Sequence, residues 1–191
     1  MTLTITTKEA KLINQDTLEI ITVPSTTVVL EHSLYAISKW ESIWHDQFLK
    51  DRNVVGEPLT SEQLLSYLQC MSINGPDDGA FDLLVYRTFS ESDMEKIRLY
   101  MEDPMTGTSF KEEVGRGSRI GDVMSSEQIY YAMCKWQIPF ECQHWHINRL
   151  LALLRVFGES ENPKKLSEQE AMQQMYAKNA YRQAKAASRH K

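Results

Sequence analysis

The first thirty residues are rich in branched apolar and threonine side chains and show little helical period. The apolar runs are Leu3–Ile5, Leu18–Val23 and Thr26–Leu30. Branched residues fit a pleated strand better than a helix, because their χ1 angle is restricted in a helix. The segment therefore predicts two or three short strands in a hairpin or meander, with turns at Asn14–Asp16 and Pro24–Ser25.

From Ser33 onward the apolar residues recur at steps of three and four, which is the period of an amphipathic helix. The pattern predicts a single helix that ends near Lys50, with a stripe formed by Leu34, Ile37, Trp40, Trp44 and Phe48. Helices normally bury such a stripe against the rest of the protein. Both tryptophans are therefore expected in the core, with a ligand-binding role as the alternative.

Two middle helices begin at recognisable capping residues. Thr60–Gln63 has the spacing of a capping box, in which two side chains satisfy free backbone amides of the first turn. Ser90 is a second N-cap, and its helix should end at Asp103, because the residue before a proline disfavours helical backbone angles. Between these helices the sequence predicts a surface loop at 74–79 and a segment at 81–89 that is either strand or helix.

The segment from Ile129 to Gly158 combines large apolar and chemically active side chains. It contains two of the four tryptophans, two of the three cysteines and two of the five histidines. A capping box at Ser125–Gln128 opens one helix, which Pro139 should end. A second helix should follow and stop at Gly158, with an apolar face formed by Phe140, Ile147, Leu150, Leu151, Leu154 and Phe157. The prediction is a corner of two helices at the proline.

Together these elements predict a mainly α fold with a small N-terminal β hairpin or meander. We expect a β-rich segment at 1–31, a helical core domain at 32–162 and a basic C-terminal helix or tail at 163–191. With 191 residues and 42% hydrophobic composition, the chain can bury a core of its own. Its longest apolar run is far shorter than the roughly 20 residues that span a bilayer, so no membrane contact is expected.

Charge divides the chain into an acidic body and a basic C-terminal segment. Seven basic and two acidic residues give 163–191 a net charge of +5. Because the whole chain has a net charge of −5, the first 162 residues have a net charge of −10. A nucleic-acid surface would combine basic residues with exposed aromatics, whereas the aromatics here have core spacing. DNA contact through the tail is therefore the weaker alternative. The N-terminus lacks a signal-peptide pattern, so we expect a cytoplasmic protein with reduced thiols.

The strongest candidate for metal or nucleophilic chemistry is the sequence Cys142-x-His144-x-His146, with Cys134 nearby. On one helix Cys142 and His146 would share a face, as zinc ligands or as a nucleophile and base, but His144 would point away. No paired CxxC motif and no third orienting group accompany them. We therefore expect a packed thiol and hydrogen-bonded imidazoles, with no catalytic residue, no cofactor and no metal ligand.

Three stretches form a combined pattern that spans most of the chain. The first runs from Leu30 to His45 and the second is Glu102–Thr106. The third comprises Ile129–Met133, Ile138–Cys142 and Trp145–Val156. This pattern resembles the tail assembly chaperones of long-tailed bacteriophages. The chain departs from the family pattern at Ala132, where tryptophan is common, and at Gln143–His144, which replaces an acidic-basic pair.

The resemblance implies a non-enzymatic protein of the host cytoplasm. It would bind the helix-rich tape measure protein, and at times the tail tube protein, and keep the tape measure protein soluble during tail tube assembly. We expect it to be absent from the mature virion. The alternative is a structural virion component, such as a connector or tail completion protein, for which the basic tail and the N-terminal strands would be suited.

A chaperone for a helical client needs an exposed apolar groove with adaptable side chains. Nine methionines and the tryptophan stripes are compatible with this requirement. The residues expected to contact the partner are Trp40, Trp44, Phe48, Trp136, Phe140, Trp145 and Arg149.

Overall fold

A computed structural model describes residues 1–13, 19–50, 58–108, 124–161, 172 and 175–176. These residues contain four β-strands, namely β1 (Leu3–Thr6), β2 (Ala10–Ile13), β3 (Ile20–Val23) and β4 (Thr27–Leu30). The α-helices are α1 (Leu34–Trp44), α2 (Ser61–Met71), α3 (Leu83–Arg87), α4 (Glu91–Glu102), α5 (Ser126–Lys135) and α6 (Ile147–Glu161). A 3-10 turn at Phe140–His144 lies between α5 and α6. A helical protein with antiparallel strands at its N-terminus is thereby confirmed.

The chain divides into two compact units, Met1–Val156 and Phe157–Lys191. The strands and the first five helices belong to the first unit. In the second unit, residues 172, 175 and 176 are helical and exposed, within the predicted C-terminal helix. The predicted boundaries at residues 31 and 162 remain predictions. Within the described ranges, no helix is long and apolar enough to cross a membrane.

The four strands follow a single antiparallel register. β1 pairs with β4 from Leu3↔Leu30 to Thr6↔Thr27, and β2 pairs with β3 from Ala10↔Val23 to Ile13↔Ile20. In every pair the two residue numbers add up to 33, so both pairs of strands share one antiparallel register. β1 and β2 therefore form one arm of a hairpin, and β3 and β4 form the other. The sequence did not predict β2. The predicted turn at Asn14–Asp16 lies outside the described residues.

The segment Pro24–Ser25 is a break within one arm of the hairpin, so the predicted turn there is wrong. Proline cannot donate a ladder hydrogen bond, and the two-stranded pairing is interrupted beside it. Side chains compensate at the break: the Ser25 hydroxyl donates to the Thr7 carbonyl over 2.6 Å, and the Thr26 amide donates to Thr7 Oγ1 over 3.0 Å. The register therefore continues across the gap.

The outer edge of β4 is covered by the chain that follows α2. The Asn74 side chain accepts from the Val29 amide over 2.8 Å and donates to the Thr27 carbonyl over 2.9 Å, as a neighbouring strand would. The Ile73 amide also donates to the Val29 carbonyl over 3.0 Å. An edge satisfied in this way is closed to further strand pairing. The predicted loop at 74–79 is thus also a docking segment for the hairpin.

Helix α1 begins as predicted but ends earlier. Ser33 is its N-cap, and His45 ends it with a left-handed φ of 52°, so the predicted extension to Lys50 is wrong. Phe48 nevertheless reaches the stripe of Trp40, because the chain folds back and the Phe48 amide donates to Glu41 Oε1 over 2.9 Å. The buried Glu41 carboxylate therefore holds Phe48 beside Trp40 without a further turn of helix.

The core lies between α1 and α2. Both helices contribute side chains with no exposed surface, namely Leu34, Ile37, Trp40, Tyr67, Leu68 and Met71. The predicted capping boxes at Thr60 and Ser125 are present, and Ser90 is the N-cap that opens α4. The ambiguous segment 81–89 contains the short helix α3, and α4 ends before Asp103-Pro104.

The predicted corner of two continuous helices is wrong between Lys135 and Ile147. Helix α5 ends before Trp136, and Gln137 has a left-handed φ of 53°. The chain then forms the 3-10 turn and becomes extended at Trp145. His146 forms a β-bridge with Ser33, and the Ile147 amide donates to the His32 carbonyl over 2.8 Å. This long-range pairing delays the start of α6, which then runs past Gly158 to Glu161.

Replacing Asn74 with alanine should lower the free energy of unfolding by about 1–3 kcal/mol, because two hydrogen bonds to β4 are lost. Urea unfolding with circular dichroism measures the change. Thr4→Ala, at an exposed strand position, is the control and should stay within about 0.5 kcal/mol of the native protein. Equal stabilities of Asn74→Ala and Thr4→Ala would contradict the edge-docking role.

Candidate functional site

Two buried histidines form a hub in the first unit. The His32 and His146 rings have centroids 5.0 Å apart and are nearly perpendicular. His32 Nδ1 lies 2.6 Å from the Tyr67 hydroxyl, and His146 Nε2 lies 2.9 Å from the Tyr100 carbonyl oxygen. The His32 amide donates to the Tyr100 hydroxyl, which in turn donates to the Met1 carbonyl. The hub thus links the hairpin, α2, α4 and the start of α6.

All three stretches of the family-like pattern meet at this histidine hub. His32 belongs to the first stretch, Asp103 to the second, and His146 and Asn148 to the third. The Asn148 amide group donates to the carbonyls of Met101 and Asp103 over 2.9 and 2.8 Å. These polar residues therefore join segments that are far apart in sequence.

The histidine hub is uncharged at neutral pH. Burial lowers the pKa of His32 to about 3, with a further contribution from His146. Burial also lowers the pKa of His146, against a smaller opposing effect of its bond to Tyr100. Desolvation raises the pKa values of the Tyr67 and Tyr100 hydroxyls. A general base should titrate near the working pH, so these groups are poorly suited to proton transfer.

The predicted zinc alternative lacks an assembled ligand set. Cys142 is buried within the 3-10 turn, whereas His144 is exposed and lies 3.0 Å from Glu31 Oε1. His146 contacts the Tyr100 carbonyl instead. The i, i+4 face-sharing expected for Cys142 and His146 does not apply, because the two residues are not on one α-helix. Across the described part of the chain, no three potential metal ligands cluster.

Two of the three thiols, those of Cys70 and Cys142, are in environments that oppose nucleophilic chemistry. Burial raises the pKa of Cys70 to about 11, and burial together with Glu141 raises the pKa of Cys142. Thiolates are the reactive form, so both residues are held in the unreactive state. Cys134 is exposed on α5.

Trp40, Trp44 and Phe48 belong to an aromatic cluster beside the histidine hub. Trp40 is fully buried and its indole donates to the Gln63 carbonyl over 2.9 Å, which confirms its expected core position. Trp44 is half-buried and donates to Ser66 Oγ over 3.0 Å. Phe48 stacks on Tyr67 with centroids 3.9 Å apart. Of these three aromatic residues, only Trp44 and Phe48 have exposed surface that a partner could contact.

The other predicted partner-binding residues lie directly after α5, within and directly after the 3-10 turn, and on α6. Trp136 is half-buried, with Lys135 Nζ 5.2 Å from its ring centre. Trp145 is also half-buried, and the exposed Arg149 guanidinium lies 4.3 Å from its ring centre. Phe140 is 53% exposed and is the most accessible of the six aromatic residues in this set. Their role in binding remains a prediction.

An open cleft of about 280 Å³ lies between the start of α1 and the segment that follows α2. The residues that give it polar and aromatic character are Glu31, Tyr35, Lys39, Asp78 and His144. Tyr35 and His144 have ring centres 5.2 Å apart, and Lys39 forms an ion pair with Asp78 over 3.1 Å. We refer to this feature as the aromatic cleft.

An exposed aromatic surface continues from the aromatic cleft along the 3-10 turn. Tyr130 stacks against Phe140 with centroids 6.2 Å apart, and its hydroxyl donates to Gln143 Oε1 over 2.9 Å. Burial raises the pKa of Tyr130, and the nearby Tyr35 hydroxyl contributes to the increase. His144 then connects the turn to Tyr35. The aromatic rings of α1, α5 and the 3-10 turn are therefore neighbours and form one surface.

Sequence reasoning identified Phe140 but missed Tyr35, Tyr130 and Glu31. Tyr35 and Lys39 are four positions apart and therefore share a face of α1, away from the buried residues Leu34 and Ile37. A large aromatic residue outside the apolar stripe was the available signal. The contact between Glu31 and His144 spans 113 positions and has no local signal.

No family model, curated protein or solved structure matches this chain. Its function is therefore inferred from its residues and from the geometry of the aromatic cleft and the histidine hub.

Lowering the pH from 7 to 5 should destabilise the protein by about 2 kcal/mol through His32 alone. The unfolded chain protonates this imidazole below about pH 6.5, whereas the folded chain keeps it neutral to about pH 3. Protons therefore favour the unfolded state in this window, and His146 acts in the same direction. Urea unfolding at both pH values measures the loss.

The variant His32→Asn should show a smaller loss of stability between pH 7 and pH 5, although it is less stable at pH 7. His45→Asn is the matched control, because His45 is exposed and asparagine tolerates its left-handed backbone. An unchanged pH dependence in His32→Asn would show that another group causes the effect.

Alkylation of the native protein with iodoacetamide should modify only Cys134, because Cys70 and Cys142 are buried and have raised pKa values. Mass spectrometry should find one adduct on the folded chain and three after unfolding in urea.

Cys142→Ser should leave partner binding nearly unchanged. Rapid alkylation of Cys142 in the folded protein would reopen the nucleophile hypothesis.

Proposed function

We propose that this protein is a tail assembly chaperone of a long-tailed bacteriophage. It binds the tape measure protein in the host cytoplasm and keeps it soluble while tail tube subunits assemble around it. It contacts the tail tube protein only during this process and leaves before the virion is mature. The family-like pattern in three stretches supports this proposal, and so does the meeting of those stretches at the histidine hub.

The observation that carries the proposal is an accessible aromatic surface on a well-packed support. Phe140 and Tyr35 are 53% and 38% exposed, although large apolar side chains are normally buried. Both stand on elements held by the histidine hub, since Tyr35 follows His32 and Phe140 precedes His146. A helical client can place its apolar face on such a surface. Partner binding is thus the activity that the geometry favours.

A non-enzymatic role is part of the proposal. Both histidines of the hub are neutral and hydrogen-bonded, and the two buried thiols have raised pKa values. These residues were the strongest candidates for chemistry in the sequence. In these environments the side chains contribute to the packing of the fold. Neither the histidines nor the thiols are activated as a general base or a nucleophile.

A structural component of the virion is the second candidate, and the far end of the hairpin favours it. Ile13 and Ile20 face each other across β2 and β3, and they are 66% and 68% exposed. An exposed apolar ribbon can add to a sheet of a neighbouring subunit. Mass spectrometry of purified virions separates the two candidates, because a stoichiometric signal would favour the structural role.

Co-expression with the tape measure protein of the same phage should increase the soluble fraction of that protein and allow both to be purified together. Phe140→Ser should reduce the soluble fraction severalfold, because it removes an exposed ring from the contact surface. Pull-down followed by quantitative gel analysis measures the effect.

Leu99→Ser is the matched control, since Leu99 is 55% exposed on α4 and does not line the aromatic cleft. It should leave the client soluble. If the tape measure protein is equally soluble and unbound without this chain, the chaperone proposal fails. If Leu99→Ser is as damaging as Phe140→Ser, the aromatic surface is not the binding site.

A further inference from the structure

We propose that the aromatic cleft selects a client helix that carries lysine or arginine beside its apolar face. The apolar face would contact Phe140 and Tyr130, and the cation would enter the cleft beside Tyr35 and Glu31. This inference rests on the proposed function, because it specifies the chemistry of the segment that the chaperone binds.

The arrangement of rings suits a cation. The faces of tyrosine and phenylalanine rings attract an ammonium or guanidinium group within about 6 Å. Tyr35 already has such a contact, since Lys39 Nζ lies 5.5 Å from its ring centre. Phe140, Tyr130 and His144 extend the aromatic surface from there along the 3-10 turn. A second cation supplied by a partner would therefore find several ring faces close together.

Carboxylates at the aromatic cleft favour the same ligand. Glu31 and Asp78 both line it, whereas Lys39 is the one permanently cationic side chain among the lining residues that the structure describes. Lys39 is already paired with Asp78 over 3.1 Å. The Glu31 side chain is only 12% exposed, so its interaction with an entering cation would be less screened by water than at an open surface.

An anionic helix is the less favourable occupant. Its carboxylates would face Glu31 and Asp78, and it would have to compete with Asp78 for Lys39. The first 162 residues also have a net charge of −10, which repels anions and attracts cations at long range. Binding of a cationic helix should therefore be faster and tighter at low salt, where charges are less screened.

Two synthetic helices can test this selection directly. Both are about 18 residues long, roughly five turns, and have the same leucine and alanine pattern, but one carries lysine and the other glutamate at the flanking positions. Fluorescence anisotropy with the full chain should give a dissociation constant on the order of tenfold lower for the lysine peptide in 50 mM salt. In 300 mM salt the difference should shrink.

The variant Glu31→Gln should reduce this preference for the lysine peptide, because it removes the negative charge but can still accept the bond from His144. Asp78→Asn provides a second variant at an 82% exposed position, with a left-handed φ that asparagine tolerates. Glu62→Gln is the matched control, because Glu62 lies at the opposite end of α2 from Met71, which lines the cleft. Circular dichroism verifies that each variant is folded.

The outcomes separate this inference from the proposed function. Equal binding of both peptides, or no binding of either, overturns charge selection even if the tape measure protein is kept soluble. An unchanged preference in both Glu31→Gln and Asp78→Asn assigns the cation to another surface and also overturns it. Loss of client solubilisation in the co-expression experiment instead refutes the chaperone function.

Discussion

The contact between the neutral rings of His32 and His146 is the constraint on which the first unit depends. A buried imidazole is stable only when it is uncharged and its nitrogen atoms have partners. Tyr67 on α2 and the Tyr100 carbonyl on α4 supply partners from distant parts of the chain, and the Asn148 amide at the start of α6 supplies a third. Because each partner comes from a different element, the hub also determines how the hairpin, α2, α4 and α6 lie relative to one another.

The geometry of the aromatic cleft follows from this hub. The bridge between Ser33 and His146 brings the start of α1 next to the chain that leaves the 3-10 turn. Glu31 then meets His144, and Tyr35 lies beside the same imidazole. The exposed aromatic side chains therefore stand on segments that the hydrogen bonds of the hub join to the core. His146 is therefore buried in the hub, whereas His144 is exposed at the surface where we propose that the client binds.

The reactive side chains of the segment 142–146 are kept apart from one another. Cysteine and histidine at positions 142 to 146 have the composition of a reactive site, yet the 3-10 turn directs them to different partners. Cys142 packs inside, His144 bonds to Glu31, and His146 joins the hub. The same turn places Phe140 at the surface. One irregular segment therefore both separates the candidate ligands and presents the ring that we propose contacts the client.

The sequence by itself determined the features that depend on neighbouring residues: the capping boxes at Thr60 and Ser125, the break before Pro104, the core position of Trp40 and the β character of the N-terminus. These follow from hydrogen bonds and periodicity within a few positions. Only the tertiary structure decided that α1 ends at Trp44, that the chain is extended at Trp145, and that Glu31, Tyr35 and His144 meet. In those places hydrogen bonds that a continuous helix would not make, such as Phe48 to Glu41 and His146 to Tyr100, outweigh the local helical preference.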